Sequence, residues 1–259
     1  ALIEYGSQGT IPRAVMTTIV HEFTPYLRML RTSWQEDPRQ FPCVEVYHRR
    51  LLDSFDTFRM LCAFRRGQTG VEGMNQRVTT ALSRHPQPEL SLEPDGEFWV
   101  GRPVMVTRND YSIGRYNGDI GIVIERDDHQ GNSRLFVAFP GQDSLPSEAK
   151  LAREGRSLNE SDYHDRNLVE YLQVSRLPEH DTVFAMTIHK SQGSQFGHVM
   201  VMLPDQPEPS PILTRELIYT GVTRAKRQVT VVAGKPLLAR ILATPVRRAS
   251  QLGVHLWTL

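Results

Sequence analysis

The sequence is poor in cysteine and has no long hydrophobic run. Its 259 residues contain two cysteines, Cys43 and Cys62, which are too far apart for a zinc site of the C-x-x-C type. No stretch of about eighteen apolar residues occurs, and the segment after Ala1 has neither a basic start nor an apolar signal core. We therefore expect a cytoplasmic protein with no membrane partner and with both cysteines in its core.

The sequence also lacks an excess of either charge. Lysines and arginines number 30 and acidic residues 29, so the formal net charge is +1. Total charge gives no argument for a nucleic-acid partner, which would instead need a local basic patch. The apolar fraction of 39% is enough for the core of one large or two modest domains.

Two patterns that bind nucleotide phosphates and their metal are absent as well. The phosphate-binding loop G-x-x-x-x-G-K-[ST] does not occur, because Gly234-Lys235 is followed by Pro236 and lacks the earlier glycine. No D-E-x-Q-like segment follows a strand, and no cluster of metal ligands is evident. The sequence therefore predicts no metal site of its own.

The first part of the chain is predicted to be mainly helical. Apolar residues recur at helical spacing in two runs: Val15, Ile19, Phe23, Tyr26, Leu27 and Leu30, then Val46, Leu51, Leu52, Phe55 and Phe58. Pro38 and Pro42 separate these runs. The apolar stretch 60–64 then leads into a glycine-containing loop and a predicted helix, an order typical of α/β folds. The polar stretch 86–96 is interpreted as a linker.

From Phe98 onward the pattern changes to short strands. Apolar residues alternate with other residues in three sets: Val100, Val104 and Val106; Ile120, Ile122 and Ile124; Leu135, Val137 and Phe139. Asn117-Gly118-Asp119 suits a tight turn with positive φ, and 127–133 suits a longer hairpin loop. The polar stretch 142–165 is predicted to be a mobile excursion before a last strand at 168–174. This region is predicted to be a small antiparallel β unit.

After Pro178 the α/β pattern resumes. Buried strands are predicted at 182–188, 198–203 and 229–233, with a helix at 214–226 that Thr214 caps. A β unit therefore interrupts an α/β domain.

Two polar segments stand out in this last region. Residues 187–196, Thr-Ile-His-Lys-Ser-Gln-Gly-Ser-Gln-Phe, follow a buried strand directly, where α/β sheets expose ligand-binding loops. Gly193 permits close backbone approach to a phosphate, although a plain polar turn fits the spacing equally well. In residues 217–226 a helix projects Arg224, whose planar fork of donors matches a phosphate. Taken alone, Arg224 fits an ordinary surface arginine better.

The two segments resemble helicase motifs V and VI of superfamily 1, in the same order and separated by a strand and a loop. The resemblance is greatest to the RecD family of DNA helicases and covers about residues 58–259. Residues 60–67, with Gly70-Val71, Gly73 and Asn75, resemble that family's motif IV. Three further runs resemble the SH3-like insertion of the RecD family: Gly101-Arg102-Pro103-Val104-Met105, Arg108-Asn109-Asp110 and Asn117-Gly118-Asp119-Ile120-Gly121.

The resemblance implies a RecA-like α/β lobe of the P-loop NTPase type, without the P-loop and interrupted by an SH3-like β barrel. Residues 1–97 would form a helical segment and the first part of lobe 2A. Residues 98–178 would form insertion 2B, and 179–259 the remainder of lobe 2A.

The same resemblance implies a set of ATP contacts. Arg224 would be the arginine finger at the γ-phosphate. Arg65 would be a second γ-phosphate contact, with Arg66 as the alternative in the doublet, and Phe64 would stack on adenine. Two residues of motif V would lie toward the nucleotide: Gly193 and Gln195. The family usually has glutamate at the last of these positions; the amide can still hydrogen-bond a ribose hydroxyl, but the charge is lost.

Contacts with single-stranded DNA are implied in motif V and expected in the insertion: Thr187, His189, Lys190 and Ser191, then Asn109 and Asn117. The first group would hold the DNA backbone. The second group lies at predicted strand ends of the β unit, where polar side chains cluster.

The implied protein is an ATP-dependent 5′-to-3′ DNA helicase, the alpha subunit of exodeoxyribonuclease V in double-strand-break repair and recombination. ATP and Mg²⁺ would be cofactors of a longer parent chain, and the expected partners are single-stranded DNA, its N-terminal motor lobe, and RecB-like and RecC-like subunits. Because the P-loop is absent, this part alone is expected to bind no cofactor tightly and to be inactive as an ATPase. Two alternatives remain: a non-hydrolysing DNA-binding or protein-interaction module, and a RecD-like helicase working without RecB and RecC.

Overall fold

The computed structural model describes residues 1–5, 10–33, 35, 40–127, 132–143, 166–205 and 210–245. These residues form two five-stranded sheets with flanking helices. Most of the stretch 142–165 and of the loop 127–133 lies outside the described residues. No helix in the described part combines the length and the apolar character needed to cross a membrane.

The first sheet is entirely parallel, with strand order β1-β10-β9-β2-β8. Its strands are β1 (Leu2–Ile3), β2 (Phe58–Cys62), β8 (Ala185–Thr187), β9 (Phe196–Met202) and β10 (Ala225–Val232). Every residue of β2 is buried, as expected for a parallel strand that is covered on both faces. The predicted α/β fold is thus confirmed.

Five helices pack their apolar sides into the main core around this sheet. They are α1 (Arg13–Arg31), α2 (Val44–Phe55), α3 (Val71–Leu82), α4 (Arg215–Val222) and α5 (Lys235–Ala243). Phe23 of α1 contacts Phe58 edge to face, with ring centroids 5.1 Å apart. The prediction that Phe58 belongs to a helix was wrong, because α2 ends at Phe55 and a turn leads directly into β2.

Helix α4 is shorter than predicted. Thr214 caps it as expected, since its hydroxyl accepts a hydrogen bond from the Leu217 N–H at 3.4 Å. The helix ends at Val222, and residues from Ala225 onward pair with β9. The predicted continuation to Lys226 was wrong because sheet pairing takes over there.

The second sheet is entirely antiparallel, with strand order β6-β5-β4-β3-β7. Its strands are β3 (Pro103–Val106), β4 (Ile120–Asp127), β5 (Ser133–Pro140), β6 (Val169–Gln173) and β7 (His180–Thr182). The predicted antiparallel unit is confirmed, but it extends to Thr182 because β7 pairs with β3. The predicted strand 182–188 is therefore divided between the two sheets.

Both faces of the second sheet are buried. Ile122 and Ile124 belong to the main core, and α2 packs against β5 and β6. Val123 and Val137 belong to a second, smaller core on the opposite face. This alternation follows from the two-residue period of a strand, and it fixes the second sheet firmly against the first part of the chain.

The two cysteines differ in burial. Cys62 lies fully buried in β2, and burial raises its pKa to about 12. Cys43 precedes α2 and is only partly buried, although it packs against the main core.

Candidate nucleotide and nucleic-acid site

The segment 187–196 crosses the whole length of the parallel sheet. It leaves the end of β8 at Thr187, forms a 3-10 turn at His189–Ser191, and enters β9 at Phe196. Strands β8 and β9 both run parallel to β2, so the segment returns from the carboxyl edge of the sheet to its amino edge. Its two ends therefore face different surroundings.

At the carboxyl edge, His189 and Lys190 are exposed. The Thr187 hydroxyl accepts a hydrogen bond from the Lys190 N–H at 3.3 Å and so holds the turn. Ser191 is fully buried, and its hydroxyl donates to the Ile188 carbonyl at 2.7 Å. The prediction of Ser191 as a DNA contact is contradicted, because its side chain stabilises the turn from inside.

A cavity of about 200 Å³ lies beside His189. Its other walls come from α4, including Leu217 and Thr220, and from the segment before it, including Ile212 and Thr214. The exposed imidazole thus stands at the rim of a cavity of mixed polar and apolar lining, next to the carboxyl edge of the sheet.

At the amino edge, Arg224 joins the two polar segments. Its Nε donates to the Thr220 carbonyl at 3.2 Å, and its Nη1 donates to the Ser194 carbonyl at 3.3 Å. In return, the Phe196 N–H donates to the Arg224 carbonyl at 2.8 Å. Arg224 is half-buried and lies in the turn between α4 and β10, so it is positioned by three surrounding elements.

Gly193 and Gln195 flank this contact and are both exposed. Gly193 has a φ of 88°, and a Cβ added there would meet no atom within 4 Å. The positive φ favours glycine, and the open space lets a ligand approach the backbone closely. The structure therefore places both predicted nucleotide-side residues next to Arg224.

A buried arginine that the sequence reasoning missed lies beneath this edge. The Arg59 guanidinium lies between the Phe55 and Phe196 rings, 4.1 and 4.9 Å from their centroids. It donates to the Val183 carbonyl at 2.8 Å and to Asp56 at 2.6 Å. Burial lowers the pKa of Arg59, and Asp56 opposes that shift. The available signal was an arginine inside an apolar strand, Phe-Arg-Met-Leu-Cys.

The residues predicted to share the ATP site with Arg224 lie elsewhere. Arg65 follows the carboxyl end of β2 and pairs with Glu72 at 3.4 Å and Asp181 at 3.6 Å. In the same loop, Phe64 packs against the main core and Arg66 is exposed.

The strand register shows how far Arg224 lies from the loop after β2. Ala225, which follows Arg224, lies beside Phe196 at the start of β9, while Cys62, at the end of β2, lies beside Met202 at the end of β9. Phe196 and Met202 are six residues apart along β9, which corresponds to about 20 Å in an extended strand. One γ-phosphate therefore cannot contact both Arg224 and the loop after Cys62. The nucleotide roles of Phe64, Arg65 and Arg66 therefore stay predictions, and the register gives them no support for a nucleotide bound at Arg224.

The turn of the second sheet lies near the amino edge. Asn117 donates its N–H to the Asn109 side-chain oxygen at 2.8 Å, and both residues are exposed. Gly118 has a φ of 102°, as predicted for a tight turn. The same turn borders a cavity of about 420 Å³ with Ser194 and Gln195. The residues predicted to bind DNA thus fall into two groups, one near each edge.

Comparisons with known proteins show what the chain is similar to. The family described as UvrD-like helicase C-terminal domain matches residues 182–232, the stretch that contains both polar segments. RecBCD enzyme subunit RecD of Haemophilus influenzae is 30% identical over 249 residues, which is 95% of this chain and 33% of that protein. The same subunit of Mycobacterium tuberculosis is 38% identical over 205 residues, 79% of this chain and 30% of that protein. The chain is similar to part of these RecD subunits.

This RecD-like chain spans about a third of the length of those curated relatives. A solved structure of Pif1 helicase from Bacteroides, in complex with ADP-AlF3 and ssDNA, aligns with this chain. The alignment covers 83% of this chain and 48% of the Pif1 chain. The sequence identity is 18% and the TM-score 0.34. In the described part of the chain, no group of three or more His, Cys, Asp or Glu residues is placed to hold a metal ion.

Proposed function

We propose that this chain supplies the second motor lobe, 2A, of an ATP-dependent 5′-to-3′ DNA helicase of the RecD type. The observation that carries the proposal is the contact of Arg224 with Ser194 and Phe196, which unites motifs V and VI at one edge of the sheet. The parent protein would be the alpha subunit of exodeoxyribonuclease V. It would act in the cytoplasm, in double-strand-break repair and recombination.

On the nucleotide side, Arg224 is the proposed arginine finger, with Gly193 and Gln195 beside it. Its present acceptors are neutral: two carbonyls at 3.2 and 3.3 Å and the Thr223 hydroxyl at 3.2 Å. A phosphate oxygen forms a shorter and stronger charge-assisted bond with a guanidinium, so the side chain can exchange its carbonyl partners for ATP. The described residues offer no ligand cluster for Mg²⁺. The proposal therefore assigns Mg²⁺ and the phosphate-binding loop to the N-terminal motor lobe of the parent.

On the DNA side, Thr187, His189 and Lys190 are proposed to hold the backbone of single-stranded DNA. Exposed donors at the end of a rigid strand can contact phosphates, and such contacts carry no base code. Asn109 and Asn117 are proposed to meet the same strand near the second sheet.

The second sheet is proposed to be the SH3-like insertion 2B of this helicase class. Its support is five antiparallel strands within 103–182 and the tight turn at Gly118. RecB-like and RecC-like subunits are proposed as partners, on the basis of the names of the relatives alone.

A non-hydrolysing DNA-binding module is the second candidate. Two observations favour it: the sequence has no phosphate-binding loop, and Arg224 already has hydrogen-bond partners within the chain.

The experiment compares residues 1–259 alone with the parent protein. We expect the parent to hydrolyse ATP when single-stranded DNA is present, and residues 1–259 to bind ATP weakly with no turnover above background. Robust hydrolysis by residues 1–259 alone would overturn the proposal of a single lobe. A parent that binds DNA without any ATP turnover would support the module.

A further inference from the structure

The loop between β3 and β4 exposes two tyrosines at the surface of the second sheet. Tyr111 is 76% exposed and Tyr116 is 50% exposed. Their ring centroids lie 6.0 Å apart with an interplanar angle of 75°. A large aromatic ring exposed to this degree leaves part of its surface open to a ligand, and here two such rings lie next to each other in an edge-to-face arrangement.

Internal hydrogen bonds keep the loop in one conformation. Asp110 and Arg115 form a two-way backbone bridge at 2.7 and 3.0 Å. Asp110 also accepts from the N–H and hydroxyl of Ser112, at 3.0 and 2.6 Å. The Tyr116 N–H donates to Asp119 at 3.0 Å, and the Tyr111 hydroxyl accepts from the Asn109 amide at 3.1 Å. Little ordering is therefore needed when a ligand binds.

Buried anchors fix the base of the loop to the sheet. The guanidinium of the buried Arg115 lies 4.2 Å from the Phe139 ring centroid. It pairs with Glu170 and, at 3.9 Å, with Asp119. Ile113 packs against the smaller core. The tyrosines are thus attached to a rigid scaffold.

The surroundings of the tyrosines favour single-stranded nucleic acid over a protein. The other exposed residues of the loop are polar, cationic or glycine: Arg108, Asn109, Ser112, Gly114, Asn117 and Gly118. Protein interfaces are also enriched in tyrosine and arginine, but their buried centres are mostly apolar, whereas this loop surrounds its tyrosines with polar groups. Surfaces that bind single strands instead combine aromatic rings with basic groups for the backbone.

We propose that Tyr111 and Tyr116 form a stacking platform for unpaired bases of single-stranded nucleic acid, with Arg108 beside them for the backbone. This inference rests on the proposed function. The platform lies in the same loop as Asn109 and Asn117 and extends that contact region to base stacking; the loop borders the cavity at Ser194 and Gln195, away from His189 at the carboxyl edge.

The test measures the affinity of the parent protein for a fluorescent oligothymidylate at fixed salt. Tyr111→Ala and Tyr116→Ala should each weaken binding about fivefold or more, the scale of one lost base stack. Phenylalanine at either position keeps the ring and should keep the affinity. Leu242→Ala removes an exposed apolar side chain from α5 and serves as the control.

An oligonucleotide of the same length with abasic sites separates stacking from backbone contact. It should bind the unsubstituted protein more weakly and should not distinguish the alanine variants from it. If the double alanine variant binds oligothymidylate as tightly as the unsubstituted protein does, the platform is overturned. If that variant binds normally but no longer assembles with its partner subunits, the tyrosines contact protein instead. A parent that binds no single strand at all would overturn both this inference and the proposed function.

Discussion

The two edges of the parallel sheet present polar groups in opposite ways. At the amino edge, Arg224 is half-buried and is held by hydrogen bonds to Thr220, Ser194 and Thr223. At the carboxyl edge, His189 and Lys190 stand exposed on a short turn. A fixed guanidinium suits charge that develops at one point, as in phosphoryl transfer. Exposed donors suit a polymer backbone that moves past them.

One short segment builds both edges. Residues 187–196 begin at Thr187 and end at Phe196, and the buried Ser191 stabilises the turn between them. A ligand that shifts either end therefore acts on the same piece of backbone. Under the proposed function, this continuity would give a physical route for coupling DNA binding to ATP turnover.

The largest expected effect comes from Arg224→Ala in the parent protein. Turnover should fall roughly 10³-fold while nucleotide affinity stays nearly intact, since an arginine finger stabilises charge in the transition state. Titration with a labelled ATP analogue, alongside steady-state turnover, separates these quantities. Arg224→Lys keeps the charge without the planar fork and should recover only part of the rate. Weaker affinity with turnover preserved would indicate a ground-state contact instead.

Arg59→Ala should destabilise the amino edge. It removes two ring contacts and leaves the Val183 carbonyl without its donor, so the free energy of unfolding should fall by about 3 kcal/mol. Asp56 is half-exposed, so water can replace its lost ion pair and the loss of this pair adds little to the destabilisation. Urea unfolding of the chain measures the loss. Arg59→Met keeps most of the packing and should lose less; an equal loss in both variants would assign the stabilisation to charge rather than to stacking.

His189→Ala should act on the carboxyl edge. We expect DNA-stimulated ATP turnover to fall about tenfold, the scale of one hydrogen bond to a charged group, and by a similar factor for every DNA sequence. The measurement is turnover across a titration of several oligonucleotides. The exposed His21 of α1 gives a matched control, His21→Ala. Normal stimulation in His189→Ala would remove this residue from the DNA contact.

The smallest effect is expected from Arg65→Ala. Arg65 is 67% exposed and forms surface ion pairs, which contribute less than about 1 kcal/mol. Both turnover and unfolding should stay close to those of the unsubstituted protein. A loss of turnover like that of Arg224→Ala would show that the carboxyl-edge loop does reach the nucleotide.

The sequence alone predicted the alternation of sheets, the cap at Thr214 and the turn at Gly118, because each depends on local spacing and residue type. It did not predict which edge each polar residue occupies. Spacing along the chain carries no information on strand register, and so Arg65 was placed beside Arg224. Arg59 and the tyrosine pair were missed for a similar reason: their roles depend on partners distant in sequence, such as Phe196 and Glu170.

The division between the two edges is tested most directly by crossing Arg224→Ala and His189→Ala in the parent protein. DNA affinity and DNA-free ATP turnover are measured for each single variant and for the double variant. We predict that Arg224→Ala lowers turnover without changing DNA affinity, and that His189→Ala lowers DNA affinity by a larger factor than DNA-free turnover. Equal losses of both quantities in both single variants would contradict the account, because they would place Arg224 and His189 at one shared site.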